Sequence, residues 1–306
     1  MKLNQIRDVL AVHERGSIRA AARHIGIAQP AVSRSIRELE HDLGVALFER
    51  SARGITLTPM GHLFMKRASA VHNELQQARD EIDQHRGQTT GLVRVGLSTV
   101  AHLSLLPGAL DRFRARYPRV TLKIQEGLFP ALEAALKEGA LDFYAGPLAE
   151  TPAPQEFVVE TLFENMRRVF CRKGHKLAGA TSLAALRDAE WISTTVTSNQ
   201  GAELLPLFEG LGLAPPIIAL HAPSALSMVL AAAHSDLLVM LPEQWLDSPL
   251  TRELLDCIPV VEALPGAPIC MLHRARLPLT PAAEYLSDML RRSALNRPNL
   301  HRGAGA

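Results

Sequence analysis

Four side chains within nine residues could read nucleic acid: Gln29, Ser33, Arg34 and Arg37. At helical spacing they share one side, opposite Val32, Ile36, Leu39 and Leu43. Arg can bond bidentately to guanine and Gln to adenine in a major groove, while Ser33 reaches a base or a phosphate. Pro30 falls in the first turn, where its missing N–H costs little. A shorter helix must precede this one. Ser17 can cap it by accepting a free backbone N–H, Ile18, Ala21, Ala22 and Ile25 line one face, and Gly26 allows the turn between the two. Pattern alone leaves two readings open, a helix-turn-helix and an ordinary αα-hairpin with a solvated basic face.

The residues themselves separate these readings. Gly16-Ser17, Ala20-Ala21-Ala22, Gln29-Pro30-Ala31-Val32-Ser33-Arg34, Leu39-Glu40, Leu43-Gly44, Leu47-Phe48-Glu49-Arg50, Arg53-Gly54, Leu57-Thr58 and Gly61 resemble the LysR-type transcriptional regulators. The resemblance implies that Gln29, Pro30, Ser33 and Arg34 lie at the bases and backbone of double-stranded promoter DNA, with Arg37 on the same face. It places Arg53 in a wing beside the minor groove. Ala28 departs from the family, which often has a Ser or Thr cap there. Losing a cap typically costs about 1 kcal/mol, so a weaker helix start is expected, not a lost motif.

Charge is distributed to match. The chain of 306 residues has a net charge of +2, yet residues 1–67 hold eleven Lys/Arg against six Asp/Glu. The remainder holds 22 against 25, so a basic front end leads a near-neutral body. Hydrophobic residues at 47% and charged residues at 21% fit an ordinary soluble protein with a sizeable core. The start, MKLNQIRDVLAV, is too short and too charged for a secretory signal, and no apolar run could span a bilayer, so a cytoplasmic location is expected. Cys171, Cys257 and Cys270 are widely spaced and offer neither metal-ligand spacing nor a disulfide framework. Some LysR-type proteins sense oxidants through a cysteine pair, an alternative to buried structural thiols. No catalytic residue, metal or cofactor is expected.

Taken in order, residues 1–15 form a supporting helix with Leu3, Ile6, Leu10 and His13 inward. Residues 45–58 suit a small β-wing turned by Gly54. Thr58 then caps a long helix from Pro59 to about His85. Its apolar positions, Phe64, Ala68, Val71, Leu75, Ala78 and Ile82, repeat by four and three and call for a partner helix. A helix lying on its own domain is the alternative, and the family resemblance favours a dimerising linker. Residues 87–91 read as a hinge. Strands follow near 92–97, 120–126, 141–145, 157–163, 168–172, 191–194, 217–221, 237–241 and 269–272, with helices between them near 101–115 and 130–138, implying parallel sheets covered by helices.

The expected fold class is therefore α/β: an N-terminal winged helix-turn-helix over 1–58, a long linker helix over 59–86, and a hinge over 87–91. The resemblance adds a periplasmic-binding-protein-like effector domain of two α/β subdomains, 92–162 with 268–295 and 163–266. The chain would cross between them near 161–167 and 265–269, and 296–306 would be a disordered tail.

Ligands in open α/β sheets gather at the carboxyl ends of strands. Ser98-Thr99 follows the first strand, and Ser193-Thr194-Thr195-Val196-Thr197-Ser198 follows Trp191-Ile192. Hydroxyls and N–H groups at a helix start suit a carboxylate, though Ser and Thr are also routine caps. The resemblance makes Ser98 and Thr99 effector contacts, with Thr194, Thr195 and Thr197 on the opposite subdomain. Leu128 stands where relatives that bind dicarboxylates frequently have a hydroxyl, pointing to a more apolar effector or a single anionic group. The expected protein is a regulator whose promoter binding is modulated by a small organic acid or aromatic metabolite. It would be a homodimer through the linker helix and a homotetramer by family habit, with RNA polymerase as a further partner. The alternatives are a solute-binding module and an enzyme with an appended DNA-binding domain.

Overall fold

The computed structural model describes residues 1–51, 54–148, 156–193, 204–222 and 224–296. The expected wing residue Arg53, the hydroxyls Thr194, Thr195 and Thr197, and the tail beyond Asn296 lie outside these described residues.

Three helices open the chain: α1 (Leu3–Arg15), α2 (Ile18–Ile25) and α3 (Gln29–Leu43). Ser17 caps α2 by accepting the Ala20 N–H at 3.2 Å, and Gly26 ends it at φ 79, a conformation that suits a residue without a Cβ. The shared core contains Val9, Val12, Ala22, Val32, Ile36, Leu39 and Leu47. Two expectations need correcting. The inner face of α1 runs through Ile6, Val9 and Val12, while Leu3 and His13 are exposed and Leu10 is half-buried. Leu43 is also exposed, because the last turn of α3 runs past the core, and Ser35 takes a buried position instead.

Strands β1 (Phe48–Ser51) and β2 (Gly54–Leu57) pair antiparallel, Ser51 opposite Gly54, as a wing. Glu40 ties the wing to α3, its Oε1 accepting the N–H groups of Leu47 at 2.7 Å and Phe48 at 3.2 Å. Thr58 caps α4 (Pro59–His85) through the Gly61 N–H at 2.9 Å. Gly61 is required there: a Cβ would stand 2.1 Å from the Leu47 carbonyl oxygen.

Ala28, which opens α3, makes no side-chain cap bond although its backbone is extended as a cap should be (φ −67, ψ 138). Ala28→Ser is therefore expected to raise the stability of the N-terminal domain by about 0.5–1 kcal/mol. Thermal unfolding followed by circular dichroism checks this, and an unchanged midpoint would count against an open cap.

The remainder forms one continuous nine-stranded sheet system in two halves. The first half holds β3 (Thr90–Leu97), α5 (Thr99–Ser104), α6 (Leu106–Arg116), β4 (Arg119–Glu126), α7 (Phe129–Lys137) and β5 (Phe143–Pro147). The chain then enters β6 (Phe157–Arg172). The second half contains β7 (Glu190–Ser193), α8 (Leu205–Gly210), β8 (Ile217–His221), α9 (Ala225–Ala233), β9 (Leu238–Pro242), α10 (Pro249–Arg252) and β10 (Leu255–Ile258). Strand β11 (Pro265–Arg274) returns, and α11 (Pro281–Leu295) packs back on the first half.

The sheet is mixed, not parallel throughout. β3 runs parallel to β4 and β5, and β7 runs parallel to β8 and β9. β6 and β11, however, pair antiparallel with each other and with their neighbours. They carry the chain between the halves as extended backbone, without a crossover helix. The segments read separately at 157–163 and 168–172 are one strand, and β10, too short to signal itself, pairs with its far end. Each half has apolar packing on both faces of its sheet, with Phe113 and Leu290 in one layer and Trp191 edge-on to Phe208 at 5.9 Å in another.

Asp142 lies beneath α4, almost fully buried. Its Oδ2 accepts the Arg94 N–H at 2.7 Å and its Oδ1 accepts Gln77 Nε2 at 2.8 Å. Burial pushes its pKa from the usual 3.8 up to about 6, against the pull of the Arg94 N–H and of the Arg94 and Arg274 charges; Asp80 pushes the same way as burial. The folded chain thus holds this proton more tightly than the unfolded chain. The stability it brings is complete below the free value and is lost as pH rises through about 6. The difference in unfolding free energy, wild type minus Asp142→Asn, is expected to fall by about 2 kcal/mol between pH 4 and pH 7. Denaturant unfolding across that range measures it, and a flat difference would contradict the burial argument.

Candidate functional site

Helix α3 of the N-terminal domain turns a polar face to solvent. Gln29, Pro30, Arg34 and Arg37 are exposed and Ser33 is half-buried, while Val32, Ile36 and Leu39 hold the opposite side in the core. Arg37 Nε donates to the Ser33 carbonyl at 3.2 Å, which lays its guanidinium along the helix surface. Arg34 has no ion-pair or hydrogen-bond partner among the described residues. An unengaged guanidinium on the first half of that face is free to approach a base edge. A groove of about 350 Å³ separates this face from the wing, bounded by Ser33, Arg37, Glu40, Phe48 and Ile55. Sequence reasoning quoted Glu40 only as part of a motif. Its role is to set the wing's distance from α3.

The second candidate region lies at the carboxyl ends of the strands, beside the contact between the two halves. Ser98 follows β3, is buried, and caps α5 by accepting the Ala101 N–H at 3.3 Å. Its N–H donates to the Ala145 carbonyl in the middle of β5 at 3.0 Å. Thr99 Oγ1 donates to Glu126 Oε1 at 3.1 Å, joining the ends of β3 and β4. Leu128, at the start of α7, is 47% exposed. Gly146 lets Tyr144 and Ser98 pack closely here, since a Cβ would lie 2.1 Å from the Tyr144 hydroxyl and 2.7 Å from Ser98 Cβ. The structure thus brings Ser98, Thr99 and Leu128 to neighbouring strand ends. The hydroxyl at Ser98 serves first as a cap.

In the second half, Ser193 is buried at the end of β7 and its carbonyl accepts the Ala222 N–H at 3.0 Å. Helix α5 lies against the turn 243–245 that follows β9, and Leu103 packs into the apolar layer of the second half with Met228 and Trp245. The α5 segment therefore joins the two halves at this end of the sheet. Two polar groups there were missed from sequence. Glu126 places a carboxylate beside Thr99. Gln244 is buried with neither its side-chain nitrogen nor its oxygen hydrogen-bonded, an arrangement that normally costs about 1–3 kcal/mol per group. The signal was available, because Leu241-Pro242-Glu243-Gln244 repeats the pattern of Leu97-Ser98, an apolar strand ending in polar residues.

The thiols show no sign of activation. Cys171, Cys257 and Cys270 are free, and burial pushes all three up, Cys171 to about 11. A thiol held protonated is a weak nucleophile. Among the described residues no helix is long and apolar enough to cross a membrane.

Comparison with known proteins covers the whole of this architecture. Residues 3–62 match the family described as bacterial regulatory helix-turn-helix protein, lysR family, and residues 86–295 match the LysR substrate binding domain. The chain is 27% identical over 274 residues to the HTH-type transcriptional regulator TdcA of Escherichia coli, spanning 90% of this chain and 87% of that protein. It is 33% identical over 177 residues to the HTH-type transcriptional regulator PcaQ of Agrobacterium fabrum, spanning 58% and 57%. The crystal structure of CbnR, a LysR family transcriptional regulator, superposes with a TM-score of 0.73 at 21% identity, covering 96% of this chain and 99% of that one. Full-length CbnR complexed with its target DNA gives 0.72 at 22% identity, covering 96% and 100%. Those structural likenesses carry the fold.

Proposed function

The chain belongs to the LysR family of transcriptional regulators, and on that premise we propose how its parts divide the work. It is a DNA-binding regulator with a substrate-binding domain. The α3 face reads the promoter: Gln29, Ser33 and Arg34 approach base edges, Pro30 and Arg37 lie at the backbone, and Arg53 in the wing reaches the minor groove. The observation that carries this reading is the exposed Arg34, without a partner among the described residues, on a helix whose other side is locked into the core.

A cleft between the halves, at these strand ends, takes the effector. Ser98 and Thr99 on one side, with Thr194, Thr195 and Thr197 on the other, supply hydroxyls and N–H groups, and Leu128 supplies an apolar edge. The Glu126 carboxylate beside Thr99 disfavours a dianion, so a ligand with one acidic group or an aromatic body fits best. A ligand shifts promoter binding only by binding one arrangement of subdomains or dimers more tightly than another. The domain limits are those read from sequence, 1–58, 59–86, 87–91, 92–162 with 268–295, and 163–266. The protein acts in the cytoplasm as a homodimer through α4, assembled further into a tetramer, and contacts RNA polymerase at the promoter. It binds and does not catalyse, in keeping with the regulatory character of its relatives.

Fluorescence anisotropy with the DNA upstream of its own gene and a scrambled duplex tests the reading. The expected result is a preference for the natural sequence, with affinity for both falling steeply between about 50 and 200 mM salt as counterion release becomes less favourable. Equal affinity for the two duplexes at every salt concentration would overturn it.

A further inference from the structure

Helix α4 has two sides of opposite character. Val71, Leu75, Ala78 and Ile82 face outward and are exposed. The side against the first α/β half is polar, built from Asn73, Glu74, Gln77, Asp80 and Gln84. Asn73 Nδ2 donates to the Glu138 carbonyl at 3.1 Å. Gln77 Nε2 donates to Asp142 Oδ1 at 2.8 Å and to the Gly139 carbonyl at 3.3 Å. Arg274 pairs with Glu74 and donates through Nη2 to Gln77 Oε1 at 2.9 Å. Further along, the Ala282 N–H donates to Gln84 Oε1 at 2.9 Å, and Gln84 Nε2 donates to the Thr90 carbonyl at 3.3 Å. No residue of α4 belongs to the apolar clusters of either α/β half.

The opposing backbone is shaped for this contact. At Gly139 (φ 66) a Cβ would stand 2.9 Å from Glu74 Oε1 and 3.0 Å from Arg274, and at Gly91 (φ 129) it would stand 2.9 Å from Gln84 Nε2. Arg274 is the last residue of β11. The same strand begins at Pro265, opposite Met166 of β6, where the backbone passes between the halves. One end of β11 thus lies at the crossing, and the other grips the linker helix.

We propose that this polar contact is a releasable latch, centred on Arg274, Glu74 and Gln77, which sets the angle between the linker helix and the ligand-binding body. A contact made of hydrogen bonds and one ion pair, with Glu74 at its more exposed edge, regains part of its energy by solvation when it opens. An apolar seam has no such alternative. Of the two sides of α4, the polar one is the side that yields. Motion of the two halves about the cleft moves the crossing end of β11, and Arg274 carries that motion to the helix that bears the DNA-reading domain. This last step rests on the reading of the cleft as a ligand site; the latch itself does not.

The test compares full-length wild type, Glu74→Arg, Arg274→Glu and the double swap, without DNA or ligand. Hydrogen exchange is read in peptides covering 72–86 and 138–142, and small-angle scattering gives the maximum dimension. Each single variant is expected to speed exchange in those peptides by about tenfold or more and to lengthen the particle, with the core strand 93–97 unchanged. The double swap is expected to return both readouts towards wild type. Arg274→Lys, which keeps the charge and loses the fork, is expected to fall between. Singles that match wild type, or singles whose effect the double swap fails to reverse, would overturn the latch. A wild type that shows no promoter preference fails the regulator reading instead, since these readouts require no DNA.

Discussion

Arg34→Ala is expected to erase the preference for promoter DNA while leaving the fold intact. The side chain is exposed and makes no hydrogen bond or ion pair among the described residues, so its removal exposes no buried partner and opens no cavity. Thermal stability should therefore move by less than about 0.5 kcal/mol. At the DNA the loss is large. A bidentate Arg–guanine contact discriminates by about 1–3 kcal/mol, and a dimer presents two. The combined cost of about 2–6 kcal/mol corresponds to a drop of roughly 30-fold to more than 10⁴-fold. Arg34→Lys separates charge from geometry, since it preserves the phosphate attraction and loses the fork. Its salt dependence should resemble wild type while its sequence preference falls. Anisotropy titrations of the three proteins against natural and scrambled duplexes measure both quantities, and an undiminished preference in Arg34→Ala would remove this residue from the recognition surface.

Leu75→Glu is expected to break the dimer and, with it, high-affinity binding. Val71, Leu75 and Ile82 are 42%, 39% and 60% exposed on one side of α4, with Ala78 between them. Their spacing is that of a coiled-coil seam. In a two-fold pair the seam of one chain packs on the same seam of its partner, so one substitution places two carboxylates in an apolar interface. An unpaired buried charge costs several kcal/mol, which moves the dissociation constant by a factor of at least about 10³. The single chain should remain folded, because Leu75 belongs to none of its apolar clusters. Sedimentation should show monomers at micromolar concentration, and a monomer engages only one half-site. Leu75→Met, which conserves apolar volume, should remain dimeric. A Leu75→Glu protein that still sediments as a dimer would place the dimer contact elsewhere.

The sequence disclosed these elements unevenly, for physical reasons. The recognition helix was legible because its two sides differ in kind, with Val32, Ile36 and Leu39 against Gln29, Arg34 and Arg37. The extent of α4 was legible from Thr58, Pro59 and the four-three repeat, yet the assignment of that repeat to one seam was too simple. Ala68 is buried and Phe64 packs on the N-terminal core, so only Val71, Leu75, Ala78 and Ile82 remain outward. The buried polar side of α4 was invisible, since Asn73, Gln77 and Gln84 look like solvated residues until Asp142 and Arg274 arrive from far along the chain. The same limit hid the antiparallel course of β6 and β11, because strand direction depends on partners more than 80 residues away. At the cleft, Ser98 and Thr99 announced themselves by following a strand. Glu126 did not, because its meeting with Thr99 depends on the pairing of β4 with β3, whereas Gln244 followed a strand in the same way as Ser98.

The measurement that bears most directly on the central claim is footprinting of the full-length protein on the DNA upstream of its own gene. The account predicts protection of an interrupted inverted repeat whose half-sites lie one helical turn, about 34 Å, or a multiple of that apart. The pattern should disappear with Arg34→Ala. Uniform weak protection, equal in wild type and Arg34→Ala, would contradict a regulator that reads sequence through the α3 face.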